Sequence, residues 1–265
     1  MNAGRLALRL GAGAAWLGLA AAAHAQWWAN VPDKAPHKAN GDVDLTAPAP
    51  HRADGTPDLS GIWYQDSNRF TRDIAADIGD EAVPYQPWAK KLARERATGA
   101  HSREDPDANC LPQGVPKISA VPAPWKIVQT PDLIVVVYEA FTLWRQIFLD
   151  GRQLRVDDVN PTWLGYSTGH WEGDTLVVDS RGFNGKTWLD QLGKPTTDKL
   201  HVIERFKRTD YGHMTIESTI DDPGAYTKPW TVSSTYHLLP DTELLEFICN
   251  ENNRDLEHLP GGSAE

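Results

Sequence analysis

From Leu133 to the C-terminal region, apolar and polar residues alternate in short runs broken by turn residues, the period of half-buried β-strands. The clearest instance is Tyr166–Ser180, where two alternating runs flank Glu172-Gly173-Asp174 and predict a tight hairpin. Alternation puts Tyr166, Thr168 and His170 on one face of its first strand and Leu176 and Val178 on one face of its second. Further strands are predicted over 133–139, 142–149, 199–208, 213–220, 231–238 and 243–250. Their breaks are Asp150-Gly151, Asp210-Tyr211-Gly212, Asp221-Asp222-Pro223-Gly224 and Pro240-Asp241. Regular strands with short connections give a mainly β fold, an antiparallel meander that removes its exposed edges by closing into a barrel.

Upstream the pattern changes. Leu59-Ser60-Gly61-Ile62-Trp63-Tyr64 opens the ordered domain, with Trp63 expected to anchor one barrel end. Residues 86–98 combine good helix formers with Pro87 in the first turn and predict one short helix. Six prolines between Glu104 and Pro131 exclude long regular elements, so 104–131 reads as an ordered coil over the barrel. Residues 26–58, rich in Pro, Ala, Asp and Lys, read as an extended arm or a partly disordered leader. The single barrel domain is expected to span 59–252, with 253–265 a disordered tail.

The first 25 residues set the expected compartment. Arg5 and Arg9 precede an apolar Ala/Leu/Gly run that ends at Ala23-His24-Ala25, the pattern of a secretory signal peptide. Its apolar run is short for a bilayer span, so no membrane insertion is expected after cleavage. Cleavage takes two arginines from the 26 Lys and Arg, set against 36 Asp and Glu, leaving a formal charge of −12. That acidity disfavours nucleic acid and anionic lipid as partners and leaves a small molecule as the expected one. An exported protein with two cysteines most simply pairs them, Cys110 to Cys249, although two separate buried thiols remain the alternative. The pairing would tie the proline-rich coil to the expected last strand.

In a small barrel, polar residues that share a face with large apolar ones must find partners in the lumen. Arg145 alternates with Leu143, Ile147 and Leu149; Glu204 lies between Val202 and Phe206; Glu246 lies between Leu244 and Ile248; and His170 follows Tyr166 and Thr168. One reading is a buried ion pair of Arg145 with Glu204 or Glu246 and a structural His170. The other is a ligand cavity in which His170 or His201 exchanges a proton, Glu204 orients it and Arg145 stabilises negative charge. The long loop between Ser180 and Leu200 offers Trp188 and Asp190 beside His201, as a lid or as a plug. Tyr226 and Trp230 are expected to flank the same mouth, while Asp221-Asp222 reads as turn chemistry and not as a calcium loop.

The chain carries no Gly-x-Ser-x-Gly elbow, His-Glu-x-x-His, phosphate loop, Cys-x-x-Cys or haem-attachment motif, and its histidines are scattered singly. Neither a cofactor nor a metal is expected.

The runs 110–114, 163–179, 200–206 and 226–230 resemble those of a large group of exported bacterial proteins. That resemblance covers about 57–252 and brings no reaction or catalytic residue with it. The meander is also similar to lipocalin-type (calycin) barrels, which include carriers of small hydrophobic molecules and a few hydratases, cyclases and isomerases. Fold likeness alone does not fix function. The expected function is therefore binding of a small organic molecule, with cofactor-free hydration, elimination or isomerisation as its enzymatic form. The alternatives are a non-catalytic carrier or surface protein, and a carbohydrate-binding or lyase protein. Eleven tryptophans suit both stacking on a ligand and core packing. The oligomeric state stays open.

Overall fold

The computed structural model describes residues 35–154, 160–251, 253, 254 and 258–260. The expected signal peptide, its cleavage site and most of the expected tail lie outside the described residues. The fold is mainly β, a closed nine-strand barrel with few helices. Nine strands run β1 Gly61–Gln65, β2 Trp125–Gln129, β3 Leu133–Tyr138, β4 Trp144–Phe148, β5 Tyr166–Glu172, β6 Thr175–Arg181, β7 His201–Arg208, β8 His213–Asp221 and β9 Trp230–Leu238. Neighbours in sequence are neighbours in the wall, and β9 closes on β1 with Trp63 opposite Leu238.

Eight of the nine contacts are antiparallel, and β4 with β5 is parallel. The parity of the ring requires this: strands that alternate up and down around a closed circle of odd number must place two alike side by side. A parallel pair cannot be joined by a hairpin, and here a long connection leads from Phe148 to Tyr166. The pairing is also brief, with only Ile147 opposite Ser167 and Phe148 opposite Thr168. Toward Trp144 and Tyr166 the two strands part, and the wall has a seam.

Three expectations are corrected. Residues 243–250 alternate but form no strand, because β9 already pairs with β1 and no edge is left for a tenth. They run as an exposed segment outside the wall, where Leu245 N–H donates to Glu139 Oε2 at 2.7 Å and Lys126 pairs with Glu243 at 3.0 Å. The coil of 104–131 contains β2, since the run between Pro124 and Pro131 is long enough for a strand, and also a short helix, Lys117–Ala120. The step from β4 to β5 is parallel where an antiparallel meander was expected. The helix expected over 86–98 spans Pro87–Ala97 with Pro87 in its first turn.

Both barrel ends are filled. At one end Trp63 is fully buried, its indole donates to Leu59 O at 3.0 Å, and the Arg208 guanidinium lies 5.0 Å from its ring centre. Residues 35–58 cross this end: Tyr211 and Gly212 N–H donate to Ala47 and Leu45 O, both at 2.7 Å, and Arg52 reaches Gln129 O at 2.7 Å. The opposite end is stoppered by residues 182–200, with Phe183, Trp188, Leu189 and Leu200 buried. Cys110 and Cys249 are joined in a disulfide, Cα atoms 5.5 Å apart. It ties the proline-rich coil to the segment after β9 and not to a strand. Among the described residues no helix is long and apolar enough to cross a membrane.

Candidate functional site: a buried ion pair beside an open seam

Alternation along each strand decides which side chains meet inside. On β7, Val202, Glu204, Phe206 and Arg208 point inward; on β4, Arg145 and Ile147 do; on β6, Leu176, Val178 and Ser180 do. On β5 the inward residues are Ser167, Gly169 and the partly buried Trp171. A side chain at Gly169 would press on Leu149 at 2.9 Å and Ile147 at 3.0 Å, so a glycine is needed at this inward position, and Tyr166, Thr168 and His170 face out.

The middle of the lumen therefore holds one cationic and one anionic side chain facing each other, while Arg208 lies at the Trp63 end. Arg145, 3 % exposed, donates from Nη2 to Glu204 Oε2 at 2.6 Å, and Glu204 is 0 % exposed. The same guanidinium donates from Nε to Ser167 Oγ at 3.0 Å and from Nη2 to Ser180 Oγ at 2.7 Å, and the two hydroxyls are 2.9 Å apart. Burial works against the guanidinium's charge, but the Glu204 carboxylate and the Tyr138 phenol hold its pKa above the ordinary arginine value. Burial also pushes Tyr138 and Tyr236 upward, so both remain neutral hydroxyls. Trp125 packs between them, its ring centre 6.3 Å from Tyr138 and 5.4 Å from Tyr236.

The cluster is not self-satisfied. Arg145 Nη1, Glu204 Oε1 and Trp125 Nε1 are buried without a hydrogen-bond partner. Leaving such groups unpaired costs about 1–3 kcal/mol each, more for charged ones, so a buried set of donors and an acceptor marks a place that a polar guest or water would complete.

Arg145 and Ser167 also line a cleft of about 420 Å³ where β4 and β5 part. Its walls are mainly apolar, from Leu143, Trp144, Phe148, Trp163, Leu164 and Tyr166. Trp144 is 60 % exposed, and Thr162 adds a buried hydroxyl oxygen with no partner. Gly165, at φ 65°, turns the crossover into β5. A side chain there would lie 2.8 Å from both Arg181 O and the Phe183 ring, so only glycine lets Tyr166 take its place on the wall. A cleft of this volume with apolar walls and few polar groups has the size and character of a small-molecule site.

The other residues singled out from the sequence lie elsewhere. His170 faces solvent with its side chain 64 % exposed and contacts Glu172 at 3.2 Å. His201 sits on the outer face of β7 and bonds Asp179 at 2.8 Å, with Asp221 4.0 Å away. Odd and even positions of one strand face opposite ways, so His201 and Glu204 cannot meet, and the expected histidine–glutamate pair is not formed. Glu246 is exposed on the outer segment.

Asp190 is wholly buried, but in the plug: it accepts from Lys194 Nζ at 2.9 Å and from the Ile74 N–H at 3.1 Å, while Lys194 also reaches Asp73 at 2.7 Å. Trp188 lies beneath Arg96, whose guanidinium is 4.2 Å from its ring centre. Tyr226 donates to Pro195 O at 2.9 Å and packs on Trp230, ring centres 5.3 Å apart. Asp222 accepts from Thr197 N–H and Oγ1 and from Gly224 N–H, a turn clasp. Of the expected set, Arg145 and Tyr166 line the cleft, and Glu204 stands behind it through its bond to Arg145. Sequence reasoning misses Trp144, Phe148, Thr162 and Trp163. The signal for them is a connection between β4 and β5 too long for a hairpin, with tryptophans near both ends. Among the described residues, no three His, Cys, Asp or Glu side chains converge as metal ligands.

No family model and no curated protein matches the chain. Among solved structures it is similar to the crystal structure of a mutant of the fluorescent protein UnaG. The two are 14 % identical, the match covers 70 % of this chain and 97 % of that one, and the TM-score is 0.32.

Proposed function

We propose that this chain is an exported binding protein that holds a small organic molecule in the β4–β5 seam, with its polar group at the Arg145–Glu204 centre. The observation that carries the reading is the pair of buried, unpartnered atoms on that ion pair, Arg145 Nη1 and Glu204 Oε1, beside an aromatic cleft that Arg145 itself lines. The leader pattern and the Cys110–Cys249 disulfide support export. His170 and His201 lie outside the barrel, and Glu204 Oε2 is held by Arg145 at 2.6 Å, an arrangement suited to recognition. The mainly apolar walls favour an apolar body over a sugar.

Trp144→Ala and Tyr166→Ala test this. Both side chains stand on the outer face at the cleft, so removing them is expected to leave the thermal midpoint unchanged while weakening binding of the neutral dye Nile red at least tenfold. Fluorescence titration reads the affinity. Equal affinity in both variants and the parent would remove the proposal.

A further inference from the structure

The charge state of the buried centre narrows what it can hold. This step rests on the seam being the binding site. Glu204 Oε2 already contacts the guanidinium at 2.6 Å, and the remaining donors of Nε and Nη2 go to Ser167 and Ser180. The pair is therefore neutral as it stands.

A carboxylate brought to Nη1 would place a second anion against one cation in a water-poor interior, the uncompensated buried charge that proteins avoid. The other buried cations are engaged elsewhere. Lys117 pairs with Asp107 at 2.8 Å, Lys194 with Asp73 and Asp190, and Arg208 with carbonyl oxygens at the Trp63 end. The whole chain is acidic, with a formal charge of −10, and repels an approaching anion.

What the centre lacks is one acceptor for Nη1 and one donor for Oε1. We infer that the ligand is an uncharged, flat, largely apolar molecule whose polar group presents an acceptor and a donor together, as a carboxamide, lactam or hydroxyketone does. The aromatic walls at Trp144, Phe148, Trp163 and Tyr166 would hold its body.

A matched pair of probes separates this from simple apolar binding. 2-Naphthamide and 2-naphthoate share one skeleton and differ in a neutral against a charged polar end. The intact protein is expected to bind the amide at least tenfold more tightly by calorimetry at pH 7. Glu204→Gln frees the Arg145 charge and is expected to shift the preference toward the naphthoate. The parent protein carries the test if that variant does not fold.

Naphthoate binding equal to or tighter than the amide would overturn the inferred ligand class. So would failure of both naphthalenes to bind while Nile red still depends on Trp144; either result leaves the seam as the site. Loss of any Trp144 dependence for all three probes would overturn the ligand class and the binding reading together.

Discussion

Replacing Glu204 with leucine is expected to lower the stability of the folded protein by about 3–5 kcal/mol, the cost of leaving a buried charge without its partner. Arg145 is 3 % exposed, and its other hydrogen bonds go only to the neutral hydroxyls of Ser167 and Ser180, so no second anion takes the place of Glu204. The double variant Arg145→Met, Glu204→Leu removes both charges and fills similar volume with apolar atoms. It should recover most of the loss, because a buried pair contributes little net stability against a well-packed apolar replacement.

Urea unfolding of the parent, the two single variants and the double variant gives the coupling directly. The same double variant should lose the ligand site while keeping the fold, which separates the pair's role in recognition from its role in folding. A double variant as unstable as Glu204→Leu would show that the guanidinium and carboxylate do more for packing than their geometry indicates.

The second large effect is expected from the disulfide. Cys110 and Cys249 are 139 residues apart in sequence, and the loop they close contains β2 through β9. Constraining so long a loop in the unfolded chain stabilises the fold by at most about 5 kcal/mol in the chain-entropy treatment. Cys110→Ser with Cys249→Ser should therefore lower the urea midpoint sharply and raise the slope of unfolding, since the freed chain exposes more surface. The barrel pairing itself should survive in the absence of denaturant, because Cys249 lies outside the strands and the wall closes without it. An unchanged midpoint would mean that the unfolded ensemble is already compact around this link.

The residues of the centre are legible in the sequence where strands are regular. Period-two alternation puts Arg145 with Ile147 and Glu204 with Val202 and Phe206, and those residues do face inward. It misleads at β5, where the larger residues Tyr166 and His170 read as the inner set. In that strand the wall is crowded at Gly169, and the set Ser167, Gly169 and Trp171 points in instead. A shift of one residue in a strand exchanges its whole inner and outer sets.

The seam is illegible for a different reason. It follows from the number of strands in the ring, and that number depends on β2, hidden between Pro124 and Pro131, and on the failure of 243–250 to pair. Both are decided by which edge is free, a property of the closed wall and not of any local run. Trp144 and Trp163 can be recognised as cleft residues only once that seam is known.

Whether the β4–β5 seam takes a guest whose polar end completes the Arg145–Glu204 pair is measured most directly by a crystal structure of the protein with 2-naphthamide. The amide oxygen is expected within hydrogen-bond distance of Arg145 Nη1, its N–H toward Glu204 Oε1, and the ring system among Trp144, Phe148, Trp163 and Tyr166. An amide seated elsewhere would contradict it, whether in the 190 Å³ hollow beside Tyr85 and Lys194 or in the 350 Å³ hollow beside Arg208 and Tyr211.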